Sequence, residues 1–221
     1  MSNEEASKQL KKIVTDTPRV WKILGLAVIS FAFGAYFVSH LIILGKGNLF
    51  PPDTLGIIAK SVFENPPMKV AANVAILPKM IDFTLGRVTV IGKYAGPVAT
   101  LATISIELGQ SLGRTEGNLS KVFEKLDWDD IAYILLGFII RLVAENWAKK
   151  EVESKFNLIL TESLSEIDQS NQNKLILYLI IELKSFKSDL ALKKFGNNDK
   201  IRRADDILKM LSKYRQKLDQ E

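Results

Sequence analysis

The chain has no cysteine and only one histidine, His40. Without cysteine there is no disulfide framework, no thiolate nucleophile and no cysteine-ligated metal. A lone histidine likewise excludes a histidine-cluster metal site. Missing too are a phosphate-cradling glycine loop, a dinucleotide glycine fingerprint, a Gly-x-Ser-x-Gly elbow and a His-Glu-x-x-His pair. Charge of one sign is scarce: 30 basic residues against 25 acidic ones give a formal charge of +5. A nucleic-acid binder concentrates basic charge more than that, so nucleic acid is not expected as a partner. The remaining carboxylates and lysines form no acid–base pairing of the kind catalysis needs. The expectation is a protein that is not an enzyme and holds no metal or other cofactor.

What is present is apolar. Hydrophobic residues make up 47% of the 221 residues, at a mean hydropathy of +0.09. That value suits a few membrane spans joined to a substantial water-exposed part. The first 20 residues are polar, and no small-x-small cleavage site follows the first apolar run, so no cleavable signal peptide is expected. From Ile23 to Gly45 no residue carries a formal charge unless His40 is protonated. A helix needs about 20 apolar residues to cross about 30 Å of hydrocarbon. Residues 18–45 are therefore predicted to span, with Thr17 as N-cap, Pro18 opening the helix and Trp21 as an interfacial anchor. Lys8, Lys11, Lys12, Arg19 and Lys22 precede this run, whereas Lys46 and Lys60 alone follow it closely, which places the N-terminus in the cytoplasm. Residues 1–17 read as an amphipathic cytoplasmic segment with a Ser2/Glu5 capping box, solvated and able to touch anionic headgroups.

A second run, DWDDIAYILLGFIIRLVAENWAKK from Asp127 to Lys150, is bracketed by Trp128 and Trp147. These lie about 28 Å apart along a helix, and residues 128–147 are predicted to cross back with a tryptophan at each interface. Arg141 lies inside the run, about 9 Å from Trp147, and is expected to reach the cytoplasmic headgroups with its long side chain. Asp127, Asp129 and Asp130 read as helix-start charge, not a cation site.

Between the runs, residues 46–127 form a proline-broken helical region, external or partly inserted. A short helix from Asp53 or Thr54 to Glu64 is expected, then a helical stripe of Val70, Val74, Leu77, Ile81, Leu85 and Val88. The run from Tyr94 to Leu108 is apolar for too few residues to cross and suits a re-entrant or buried segment. Gly92, Gly96 and Thr100 share a helix face that permits close packing; Gly109, Gly113 and Gly117 repeat the spacing, either as a second helix-packing row or, the reading preferred for so polar a stretch, as turn residues of a loop. Candidate intramembrane polar residues are His40, Asp82, Arg87, Lys93 and Arg141.

Residues 148–221 read as a cytoplasmic helical tail domain. The second span continues through Val152, Phe156, Ile159, Leu160, Leu164 and Ile167, and residues 168–173 form a connector. A helix then ends at a Gly196 cap, and a last helix carries Ile201, Ala204, Leu208, Leu211, Arg215 and Leu218. The fold class expected is all-α: a helical integral membrane protein, both termini cytoplasmic, with a C-terminal hairpin or small bundle. Its partners are the lipid bilayer and either further copies of itself or other membrane subunits. The leading function is a non-enzymatic subunit of a pore, secretion or translocation assembly in a cell or viral membrane. The rival is a membrane-anchored scaffold, as in a viral envelope or cell-surface layer.

Overall fold

The computed structural model describes residues 1–45, 66–78, 95–165, 167–192 and 197–220. Among them every regular element is helical, with no strand. In chain order these are α1 (Asn3–Thr15), α2 (Arg19–Gly45), α3 (Pro66–Ala71) running into a π-helix (Ala72–Ile76), α4 (Ala95–Arg114), α5 (Leu119–Val122), α6 (Trp128–Leu164), α7 (Gln169–Leu192) and α8 (Asn198–Leu218). The chain divides into two compact units: Met1–Arg19 with Asn146–Glu221, and Val20–Glu145.

The first unit is a helical bundle with an apolar core. In α1 the Ser2 side chain accepts from the Glu5 N–H at 3.2 Å, and Glu4 and Glu5 complement the helix dipole. Leu10, Ile13 and Val14 recur at helical spacing, and all are buried. The structure thus seats this helix in a core instead of leaving it solvated. Its neighbours there are Val152, Phe156, Ile159, Leu160 and Leu164 of α6, Leu175, Ile176 and Leu179 of α7, and Ala204, Ile207 and Leu211 of α8. Each large side chain withdrawn from water contributes about 1.5–3 kcal/mol. Polar ties fix the register at the edge. Arg203 Nε donates to the Val14 carbonyl at 2.9 Å, closing the C-terminal end of α1, and Lys11 pairs with Glu182 at 2.6 Å.

Two helix starts in this unit are held by side chains that no local motif announces. The α2 helix begins at Arg19, after the non-helical Thr17-Pro18, and the Arg19 N–H donates to Glu151 at 2.8 Å. The carboxylate at the α2 N-terminus therefore comes from α6, far away in sequence. Helix α7 starts at Gln169, so most of the expected 168–173 connector is helix; the turn is closed by Gln172 Nε2 donating to the Ile167 carbonyl at 2.9 Å. In both places a side chain satisfies backbone groups at a helix end, a distant one at α2 and a local one at α7.

The second unit buries a different class of side chain. Ala71, Val74, Ala99, Thr100 and Ala144 are inside, together with the larger Val122, Leu126 and Ile134, while Ile23, Leu26, Ile29, Phe33, Leu101 and Ile139 are each more than half exposed. Helix α4 extends through Gly109 and Gly113, correcting the loop expectation; only Gly117, at φ 83°, is a turn residue. The helix ends in a Schellman arrangement: Gly117 N–H donates to the Leu112 carbonyl at 3.0 Å, with Glu116 left-handed at φ 50°. Helix α5 follows, tied down by Ser111 Oγ donating to the Val122 carbonyl at 2.6 Å. The expected 53–64 helix, the Gly196 cap, and Gly92, Asp82, Arg87 and Lys93 lie outside the described residues.

Candidate functional site

Of the sequence-predicted residues, the structure brings three together around Arg141: the arginine itself, Trp21 and Gly96. Arg141 sits on α6 among apolar neighbours, and its side chain is only 15% exposed. Its Nη1 donates to the Val74 carbonyl at 2.9 Å, on the π-helix. The guanidinium carbon stands 5.2 Å from the centre of the Trp21 ring, a cation–π distance. Nε is 2.8 Å from Glu145 Oε1, one turn further along α6, but its N–H points away, so this contact rests on proximity alone. The partners come from α2, the π-helix and α6 itself.

Gly96 completes the seat. A Cβ built there would lie 2.9 Å from Arg141 Nε and 3.1 Å from its Cδ. The small residue on α4 therefore serves close approach, as its spacing suggested, but to a guanidinium and not to another backbone. Thr100, one turn on, turns its hydroxyl to the Gly96 carbonyl at 3.1 Å. The structure surrounds the Arg141 guanidinium with protein partners, the Val74 carbonyl, Glu145 and the Trp21 ring. Glu145 and the Val74 carbonyl carried no sequence signal. A five-residue π-helix, closed by Leu77 N–H donating to the Ala72 carbonyl, is not encoded by any local motif.

A second polar cluster lies near the start of α6. Asp127 caps the helix, accepting from the Asp130 N–H at 3.3 Å, and Asp130 forms an ion pair with Lys69 of α3. One acid is thus used by the backbone and another is neutralised. Among the described residues no three histidine, cysteine, aspartate or glutamate side chains are placed to hold a metal. The depression beside them, lined by Arg114, Glu124, Lys125, Asp127, Trp128 and Asp129, lies open to solvent.

His40 lies on α2. Gly109 and Gly113 lie on α4 with no atom within 4 Å of a built Cβ. Trp128 and Trp147 are 59% and 62% exposed. Among the described residues α6 is the one helix long and apolar enough to cross a membrane, and 22% of its most apolar window is buried.

The chain matches no protein-family model, no curated protein and no solved structure.

Proposed function

We propose that the protein is a non-enzymatic helical membrane subunit. It crosses the bilayer through α2 and the first part of α6, keeps both termini in the cytoplasm, and works within an oligomeric assembly such as a pore, secretion or translocation complex. The observation that carries this reading is topological. Residues 1–19 and residues 146–221 share one compact unit with a common apolar core. A chain whose two ends pack together can cross a bilayer only an even number of times, so a crossing by α2 requires a return.

Lipid as the medium is supported by the burial pattern of the Val20–Glu145 unit, which covers alanines, a threonine and a serine beside Val74, Val122, Leu126 and Ile134 and leaves Ile23, Leu26, Ile29, Phe33, Leu101 and Ile139 more than half exposed. Helices pack in this way where lipid leaves no hydrophobic force between them and close approach of small residues decides. The Arg141 seat fits the same medium, since a charge at membrane depth is tolerated where protein surrounds it. Assembly is supported by α4, where exposed Leu101 and Ile106 precede Gly109 and Gly113 in open space. A second helix can approach there.

The native chain has no cysteine, so single probes report cleanly. With Asn3→Cys and Gln220→Cys in sealed vesicles, an impermeant maleimide should reach both from the same face; opposite faces overturn the topology. Mass measurement of the detergent-extracted protein should give several copies or a complex with other chains. A stable monomer would instead favour the membrane-anchored scaffold, a reading supported by the self-contained core of the bundle.

A further inference from the structure

Helix α5 and the residues after it expose Leu119 at 74% and Phe123 at 62%, with Trp128 at 59%. We propose that the Leu119–Phe123 face is a lipid-contact surface that inserts into the phospholipid leaflet at the Trp128 end of α6. The proposal rests on the membrane reading above and adds a third point of contact with lipid, outside the crossing helices.

The face is built to point outward. Val122 of the same short helix and Leu126 of the turn after it are buried, at 6% and 8% exposure. The buried Ser111 hydroxyl grips the Val122 carbonyl at 2.6 Å. Asn118 accepts from the Ser120 N–H at 3.2 Å and from the Ser120 hydroxyl at 2.7 Å, which sets how the chain enters the helix. The left-handed Glu116 and Gly117 fix the turn before it. Rotating Leu119 and Phe123 inward would expel Val122 and Leu126 and break the buried hydrogen bond.

Three observations select lipid as the occupant. The face lies within ten residues of Trp128, which opens the one described helix apolar and long enough to cross a membrane and is itself exposed. Lys121 lies between the two apolar residues and Lys125 just after them, and both lysines are exposed. Aromatic and aliphatic groups beside long cationic side chains form the composition of a membrane–water interface, the lysines reaching up to phosphate while their stems lie along the acyl boundary. Finally, the surrounding charges are of both signs, with Glu116 and Glu124 among the lysines. Attraction to anionic lipid therefore contributes little, and apolar insertion into a zwitterionic leaflet is the chemistry that remains.

The test uses the full-length protein in phosphatidylcholine nanodiscs with single nitroxide labels at Leu119→Cys, Phe123→Cys and Lys121→Cys, and at Leu135→Cys and Ile139→Cys on α6. All five positions except Lys121 carry exposed apolar side chains, and Lys121 is itself exposed, so none disturbs the core. The expected result is that 119 and 123 resemble 135 and 139, accessible to oxygen and shielded from a water-soluble nickel reagent, while 121 is nickel-accessible. If 119 and 123 behave like 121 while 135 and 139 remain in lipid, this inference is overturned and the membrane reading stands. If 119 and 123 show spin–spin broadening that vanishes on dilution with unlabelled protein, a second copy covers the face and lipid does not. If all five are nickel-accessible, the inference and the membrane reading fall together.

Discussion

At the residue scale, single positions carry strain or a tight fit that a substitution can expose. Gly96 is one. A methyl group there meets Arg141 at 2.9 Å, and the guanidinium is held from other sides by Val74 and Trp21. Gly96→Ala should therefore destabilise by about 1–3 kcal/mol, the range for overpacking a filled site. Because the clash is with Arg141 alone among atoms within that radius, the penalty should largely disappear in an Arg141→Ala background. A double-mutant cycle of unfolding in mixed micelles measures this; an additive cycle would show that Gly96 matters for some other reason. Glu116 is the opposite case. It occupies the left-handed position that closes α4, a conformation that disfavours side chains by about 1–2 kcal/mol. Glu116→Gly should stabilise the protein by about 1 kcal/mol, read as a rise in the same unfolding midpoint.

At the scale of elements, what the sequence disclosed depends on how far apart the interacting groups lie. The Ser2 cap of α1, the long apolar helix from Trp128 and the buried row Val152, Phe156, Ile159, Leu160 and Leu164 are all patterns within one segment, and all were legible. The α4 helix through Gly109 and Gly113 was not, because glycine is a turn signal in isolation and helix continuation there is decided by what precedes and follows it. Nor was the seat of Arg141: its arginine, tryptophan and glycine could each be named as unusual, but nothing local joins positions 21, 74, 96 and 141. The Glu151 contact at the start of α2 is the sharpest example, joining residues 132 positions apart. Burial raises the Glu151 carboxyl, but the hydrogen bonds from Lys155 and from the Arg19 N–H outweigh it and hold the group below its ordinary value of 4.5. A carboxylate depressed in the folded state stabilises above its unfolded pKa and loses that contribution as pH falls through the folded one. Glu151→Ala should thus weaken the start of α2 by about 0.5–2 kcal/mol at neutral pH, the usual worth of a cap. The difference from the parent should shrink as the medium is acidified below pH 4.5. Amide exchange at the first turn of α2, followed against pH, reports both; a deficit independent of pH would mean that lost packing, not the carboxylate, is responsible.

At the scale of the whole molecule, the decisive feature is that the bundle cannot be completed until the chain is nearly finished. Leu10 of α1 is 2% exposed and shares its core with Leu175 of α7 and with Ile207 and Leu211 of α8, some two hundred residues later. Contacts of that separation carry a large loop-closure entropy, here borne by everything between α1 and α6, and they form late. An N-terminal helix that merely floated beside the bundle would leave α7 and α8 to fold as a hairpin, indifferent to residue 10. A helix that forms one wall of the core makes them dependent on it. Leu10→Ala should then cost about 2–5 kcal/mol, the price of a cavity in a closed core. Its signature in hydrogen exchange should be a loss of protection spread over Gln169–Leu192 and Asn198–Leu218 together with Asn3–Thr15. Loss confined to α1 would instead describe an appendage. It would also remove the argument that the two ends are held on one side of a bilayer by a common core.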